Sequence, residues 1–333
     1  VTSDSTRRRR SDDAAEATAV GGQKPVRLPE STLRAYRRFS LYNSPYPAHA
    51  AGCAVDLYPA RNEALSPVAG TVRETRTVRA PPKPYAADDE HLVLVDVDAA
   101  ESGLDAAGTS DGLVARILHV RPEVSAGDVV AVGDSLGPMI RSGFFAPWVA
   151  NHLHLGFRDA TQNLHRAGGS HPVDVGVDVE PMRWDGTGTV VESGETYALL
   201  DTPERSASDD RFVGIAGVVA PSDRSDAAED AQETVVLDGG LTHYGGGGAL
   251  GRHHEVPGPV SFLGHRVGDT SGRTVAWRDV DVLANGDRIT GLSLFTGCDP
   301  EFGAKLVCPE RTFAVGEQVR VTIRDSDDPI RLG

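Results

Sequence analysis

The stretch "VANHLHLGFRD", residues 149–159, places two histidines one residue apart inside an apolar run. Its alternation is that of a β-strand, where successive side chains point to opposite faces. Leu153, Leu155 and Phe157 then share one face, which reads as a core face. His152 and His154 share the other, as two neighbouring imidazoles either on a solvated strand face or in a pocket. The rest of the chain has to decide between those two settings.

With 333 residues the chain is long enough for two domains with their own cores. No apolar stretch approaches the about 20 residues that span a bilayer. The formal charge is -15, and Lys24, Lys83 and Lys305 are the only lysines. An acidic, lysine-poor surface of this kind is expected of a protein that stays soluble in concentrated salt, because carboxylates hold water and counter-ions. The same acidity argues against nucleic acid as the main partner. The first residues, "VTSDSTRRRRSDDAAEATAVGGQ", are polar and poor in large apolar groups, and read as disordered. No apolar segment follows the arginine run, so the chain as given carries no export signal and is expected in the cytoplasm, with a processed, exported form left open. Of the three cysteines, Cys53 stands alone, while Cys298 and Cys308 flank a loop and either close a disulfide or sit unpaired.

Short extended segments separated by Gly, Pro and Asp clusters dominate from Leu41 onward. "ESTLRAYRRF" (30–39) is a helix candidate that Ser31 or Thr32 would cap, and "DAAEDAQETV" (226–235) is a second, acidic one. "HYGGGGALG" (243–251) lacks the Lys-Ser/Thr ending of a phosphate loop and reads as a flexible turn. The expected organisation is a disordered tail over 1–27, a mainly β domain over 28–185, and a β-rich accessory domain over 186–333. The short strands of the last region suggest a small sandwich or barrel.

Four further segments share an order with the two histidines. "GCAVDLY" (52–58) carries Asp56, and "SPVAGTV" (66–72) reads as two strands about an Ala-Gly turn. "RILHV" carries His119, and "SAGDVVAVGDSLG" (125–137) spaces its glycines for tight strand turns. This succession over residues 41–160 resembles the lysostaphin-type (LytM-like) zinc metallopeptidase family. The resemblance implies an antiparallel β domain of the duplicated hybrid motif kind and a single zinc ion. It also implies metal-ligand roles for Asp56 and His154, and places His119 and His152 beside the metal-bound water and the polarised carbonyl. The pattern departs at the first ligand, where the family's histidine position is Gly52. His49, seven residues before Asp56, is the expected replacement if a bulge or loop absorbs the extra residues, and the Cys53 thiolate is the alternative.

The segment "MIRSGFFAPWVAN" (139–151) is more apolar than the family's usual loop. Phe144, Phe145 and Trp148 either line a groove, cover the site or, as the favoured reading, pack on the second domain. His165, His171, His243, His253, His254 and His265 read as exposed loop histidines. The expected activity is hydrolysis of a peptide or amide bond by a metal-activated water. The alternative is a non-catalytic binding module on the same β scaffold.

Overall fold

A computed structural model describes residues 24–106, 112–166, 170–205, 210–221, 232–251 and 257–332. Residues 1–23 of the tail expected over 1–27, the 226–231 part of the second helix candidate, and His253 and His254 lie outside the described residues. Val26 and Arg27, at the end of that expected tail, belong instead to a strand, Val26–Pro29, paired with Val173–Gly176. The chain is mainly β and forms two compact units. The first comprises Val1–Tyr36, Ala51–Phe145 and Ala150–Gly176; the second comprises Arg37–Ala50, Ala146–Val149 and Val177–Gly333. Among the described residues no helix is long and apolar enough to cross a membrane.

Six strands of the first unit position the candidate site: β1 (Val55–Pro59), β2 (Gly70–Val78), β3 (Glu90–Val97), β4 (Leu113–Leu118), β5 (Val129–Val130) and β6 (Leu153–Asp159). They pair antiparallel in the order β5–β2–β3–β4–β6–β1. One face carries Val55, Leu57, Val93, Val95, Ala115, Ile117, Leu153, Leu155 and Phe157, all fully buried. Each large apolar side chain on it contributes about 1.5–3 kcal/mol on burial. A slip of β6 by one residue would turn Leu153, Leu155 and Phe157 to the other face, so this core fixes the register. On the opposite face Leu92, Leu94, Val114 and Leu164 form a smaller cluster. Of the expected "SPVAGTV" hairpin only the second strand forms; Ser66–Ala69 is a bend in which the Ser66 hydroxyl donates to the Val68 carbonyl at 2.7 Å.

The first helix candidate shrinks to α1 (Glu30–Leu33), followed at once by a strand over Tyr36–Ser40. Pro29 holds the N-cap position with no side-chain cap bond, so neither Ser31 nor Thr32 caps it. The β pattern wins because Tyr36, Phe39 and Ser40 all go into the interior.

In the second unit β7 (Phe212–Val219), β8 (Glu233–Leu241), β9 (Gly246–Leu250), β10 (Pro259–Phe262), β11 (His265–Ser271) and β12 (Thr274–Trp277) pair in the order β7–β8–β9–β12–β11–β10. Val218 and Val219 of β7 also pair with Ser261 and Val260 of β10, which closes the ring into a barrel. Residues 233–235, expected at the end of an acidic helix, open β8 instead. The glycine run expected as a flexible turn supplies β9. A side chain at Gly247 would overlap the Trp277 ring, and one at Gly248 the Tyr42 ring, so the missing Cβ atoms let aromatic rings lie on the strand. Cys53, Cys298 and Cys308 form no disulfide, so of the two readings of Cys298 and Cys308 the unbridged one holds.

Two buried titratable groups of the second unit oppose each other as pH falls. His243, expected on an exposed loop, is 0% exposed, between Tyr244 and the edge of Trp148. Burial, helped by the Arg331 charge, pulls its pKa from 6.5 to about 3. Asp238 accepts bonds from the Ser40 hydroxyl (2.5 Å), Leu41 N (2.6 Å) and Tyr42 N (3.2 Å). Burial nevertheless raises its pKa from 3.8 to about 6. Below 6.5 the unfolded chain protonates His243 and the folded chain does not, so stability is lost as pH falls towards 3. Asp238 acts in the other sense, since the folded chain takes up its proton first and stability rises as pH falls from 6 towards 3.8. Each contributes about 1.4 kcal/mol per pH unit within its window. In wild type the two slopes cancel between pH 6 and 4. In His243→Gln the Asp238 slope stands alone, and the urea midpoint rises relative to wild type on acidification over that range.

Candidate metal centre

The candidate site grows from one register. Asp56 of β1 sits directly opposite His154 of β6, and His154 is in turn opposite Leu118 of β4. Directly opposed residues share a face, so the carboxylate and the imidazole meet, with His154 Nδ1 donating to Asp56 Oδ1 at 3.0 Å. His152 lies two residues before His154 on the same face. Its Nδ1 donates to the Ala150 carbonyl at 2.9 Å, and its Nε2 stands 3.3 Å from Asp56 Oδ2. With Nδ1–H committed to a carbonyl, a neutral His152 turns an Nε2 lone pair towards a carboxylate oxygen, an arrangement that a shared cation or a second proton relieves.

His119 follows the last residue of β4, and simple alternation would send its ring to the face away from Leu118 and His154. Its backbone is left-handed, with φ of 72°, and this brings the ring back to 5.3 Å from His152 and 5.8 Å from His154. Such a conformation costs a non-glycine residue about 1–2 kcal/mol. Glu90, at the head of β3, offsets that cost: Oε1 accepts His119 N at 2.9 Å and Oε2 accepts His119 Nδ1–H at 2.9 Å. The Ser142 hydroxyl donates to the same Oε2, and His91 N to Oε1 at 2.9 Å. Burial works to raise the Glu90 pKa, but these hydrogen bonds, that of the His119 ring first, outweigh it, so the carboxyl ends below its ordinary value. Burial lowers the His119 pKa against the pull of Glu90 and Asp56. The outcome is an ionised Glu90 holding a neutral His119 with its Nε2 available.

His49 lies on α2 (Pro47–Ala50). The extra residues before Asp56 are taken up by that turn of helix and by Gly52, whose φ of 64° suits glycine. His49 Nδ1 donates to the Leu41 carbonyl at 2.7 Å. This is the bond that fixes the tautomer of a metal-binding imidazole and leaves Nε2 as donor atom. His49, Asp56 and His154 each offer a ligand atom, and these atoms lie within 4.8 Å of one another. Two imidazole nitrogens and one carboxylate oxygen at this spacing suit one divalent cation. Cys53 is outside this group; its buried thiol donates to the Ala51 carbonyl and burial pushes its pKa up to about 11.

Phe145 stacks on His152 at 4.2 Å and meets His119 edge-on at 4.6 Å, so it covers the site rather than packing elsewhere. Trp148 belongs to the second unit, where Lys305 donates to its carbonyl at 2.6 Å. His171, expected exposed, is buried and 3.0 Å from Asp159. His165 and His265 keep substantial exposure beside Glu74 and Asp325. Glu90 and Ser142 are the residues that sequence reasoning passed over. Glu90 closes the acidic run "DDE" and reads as the end of a loop, although an acid at the head of an apolar strand was a usable signal.

Residues 27–175 match the family described as "Domain of unknown function (DUF8155) N-terminal domain", and residues 180–324 match "Domain of unknown function (DUF8155) C-terminal domain". All five candidate site residues fall within the first match. No curated protein matches the sequence. Among solved structures, the chain has a weak likeness to the NMR solution structure of lysostaphin, with 12% identity, a TM-score of 0.20, and coverage of 88% of this chain and 100% of that one. A second is the antimicrobial peptidase lysostaphin from Staphylococcus simulans, with 11% identity, a TM-score of 0.22, and coverage of 88% and 96%.

Four donors converge on the two oxygens of Glu90, and an amide offers only one accepting oxygen. Glu90→Gln is therefore expected to destabilise the chain by about 1–3 kcal/mol in a denaturation titration. The same variant is expected to release His119 from its single tautomer, which the imidazole nitrogen chemical shifts report.

Proposed function

We propose that the chain is a metal-dependent hydrolase of a peptide or amide bond, with His49, Asp56 and His154 as the residues that would hold a single zinc ion. The observation that carries this reading is the meeting of those three donors beside two further imidazoles, His119 and His152, that an ion of this coordination number does not need. Zinc with three N/O protein ligands and an open position supplies an acidified water and polarises a carbonyl. In this reading His119 Nε2 takes up or returns a proton, because Nδ1–H is fixed on Glu90. His152, aligned by the Ala150 carbonyl and by Asp56, orients the bond to be cleaved. The Phe145 ring excludes bulk water from both imidazoles, which strengthens every polar interaction between them. The order of motifs along residues 41–160 supports the same class of chemistry. The lysine-poor, acidic composition supports a working environment of concentrated salt.

Metal analysis of the purified chain tests this directly. One divalent ion per chain is expected in wild type, and none retained in His154→Ala or Asp56→Ala after dialysis. The absence of a stoichiometric ion from wild type, even after zinc is offered, overturns the reading. In His119→Ala the ion is expected to stay while cleavage of a peptide library, followed by mass spectrometry, drops by about 10²–10⁴-fold. A chain that holds its ion but cleaves nothing across such a library points to the binding-module alternative.

A further inference from the structure

One imidazole of the candidate site is held from both ends of a single short segment. Phe145 stacks on His152 at 4.2 Å, and the Ala150 carbonyl accepts His152 Nδ1–H at 2.9 Å. The first contact fixes the plane of the ring and the second its tautomer. Between Phe145 and Ala150 run the four residues Ala146–Val149. They are counted with the second unit, whereas Phe145 and Ala150 belong to the first.

The seat of that segment is built from two contacts. In the first, Lys305 Nζ donates to the Trp148 carbonyl at 2.6 Å. Lys305 opens a short strand, Lys305–Val307, that is paired on both sides, with Tyr197–Leu200 and with Gly291–Leu294. Its ammonium also lies 4.4 Å from the centre of the Tyr197 ring, a second attraction that keeps it in place. In the second contact the buried Trp148 ring meets the His243 ring at 5.5 Å, nearly at right angles.

The His243 ring is itself wedged. Gly240 and Gly291 lie so near its two nitrogens that a Cβ at either position would overlap them. Neither His243 ring nitrogen, nor Trp148 Nε1, has a hydrogen-bond partner among the described residues. Buried polar atoms without a bond cost stability and call for a reason. Here each ring serves as a surface for the other, and the neutral imidazole seats the indole.

A hydrogen bond to a carbonyl fixes the plane of a rigid peptide group. The Trp148 carbonyl belongs to the peptide group that joins Trp148 to Val149. Only the backbone dihedrals of Val149 and Ala150 separate that group from the one whose carbonyl holds His152. The donor on Lys305 therefore acts close to the imidazole along the chain without touching it.

We propose that Lys305 and His243 are positioning residues for His152: by seating Trp148 they aim the Ala150 carbonyl and the Phe145 ring at that imidazole, which makes the C-terminal strands a working part of the site. The effect on rate rests on the hydrolase reading, and the positioning does not. Small displacements of a group that orients the reacting bond cost rate rather than binding.

The test compares the full chain, with zinc offered, in wild type and in Lys305→Met, which keeps an unbranched apolar stem and removes the donor. In the variant the His152 Nδ1–H proton is expected to exchange with solvent at least about tenfold faster, as its nuclear magnetic resonance reports. The His119 Nδ1–H proton, held by Glu90, is expected to stay as in wild type. Lys305→Arg, which retains a charged donor, is expected to restore most of the His152 protection. On the peptide that wild type cleaves fastest, kcat is expected to fall about tenfold in Lys305→Met with KM within about twofold. An unchanged His152 proton, equal loosening of His119 and His152, or a full kcat beside a released His152 overturns the proposal. Should Lys305→Met fail to fold, Trp148→Phe, which shrinks the ring seated on His243, is read in the same way, and an unchanged His152 proton there overturns the proposal too. A wild type that holds no ion or cleaves nothing sinks the hydrolase reading alone, because the exchange comparison needs neither.

Discussion

The pairing of Asp56 with His154 across two antiparallel strands is the constraint from which the candidate site follows. Neither residue is held by a loop: Asp56 and His154 both lie within strands. Their meeting is set by the apolar face behind them, where Leu153, Leu155 and Phe157 lock β6 against β1 and β4. A sheet with a weakly specified register would let the carboxylate drift a residue along and lose the imidazole to the other face. Here the hydrophobic core and the polar site are the two faces of the same register. The energy of one fixes the geometry of the other.

A second layer of constraint acts through Glu90. A regular strand cannot deliver His119 to the face that carries His154, so the chain takes a left-handed step at that residue. A buried carboxylate that accepts both the backbone and the ring of His119 makes that step tolerable. The same carboxylate chooses the tautomer. Strain, burial and proton placement are thus settled by one side chain, which also reaches Ser142 and through it the segment bearing Arg141 and Phe145.

Much of this was legible in the residues. The alternation of "HLHLGF" shows a strand with its imidazoles on one side, and the glycine-spaced segments show a tightly turned β architecture. Asp56 was readable as the partner of His154 only through the order of motifs, since no local pattern links residues so far apart in the chain. Glu90 was not readable, because its role depends on a bond to a backbone whose conformation breaks the strand pattern. Tyr36–Ser40 misled for the opposite reason: its residues have fair helical spacing, but burial of Tyr36 and Phe39 rewards the extended form. The run "GGGG" looked flexible because composition reports missing side chains and says nothing of the rings of Tyr42 and Trp277 that take their place. His243 and His171 looked exposed because polar residues in glycine-rich or loop-like sequence carry no mark of burial.

The two compact units are interlaced along the chain. Arg37–Ala50 and Ala146–Val149 are assigned with the C-terminal strands although both are flanked by residues of the other unit. Asp238 fastens the first of these inserts by accepting Leu41 N and Tyr42 N, and the Leu41 carbonyl receives the His49 ring. No single cut therefore separates the halves cleanly. A fragment ending at Gly176 keeps the letters of every candidate ligand yet leaves His49 on a segment whose fastening residue has been discarded.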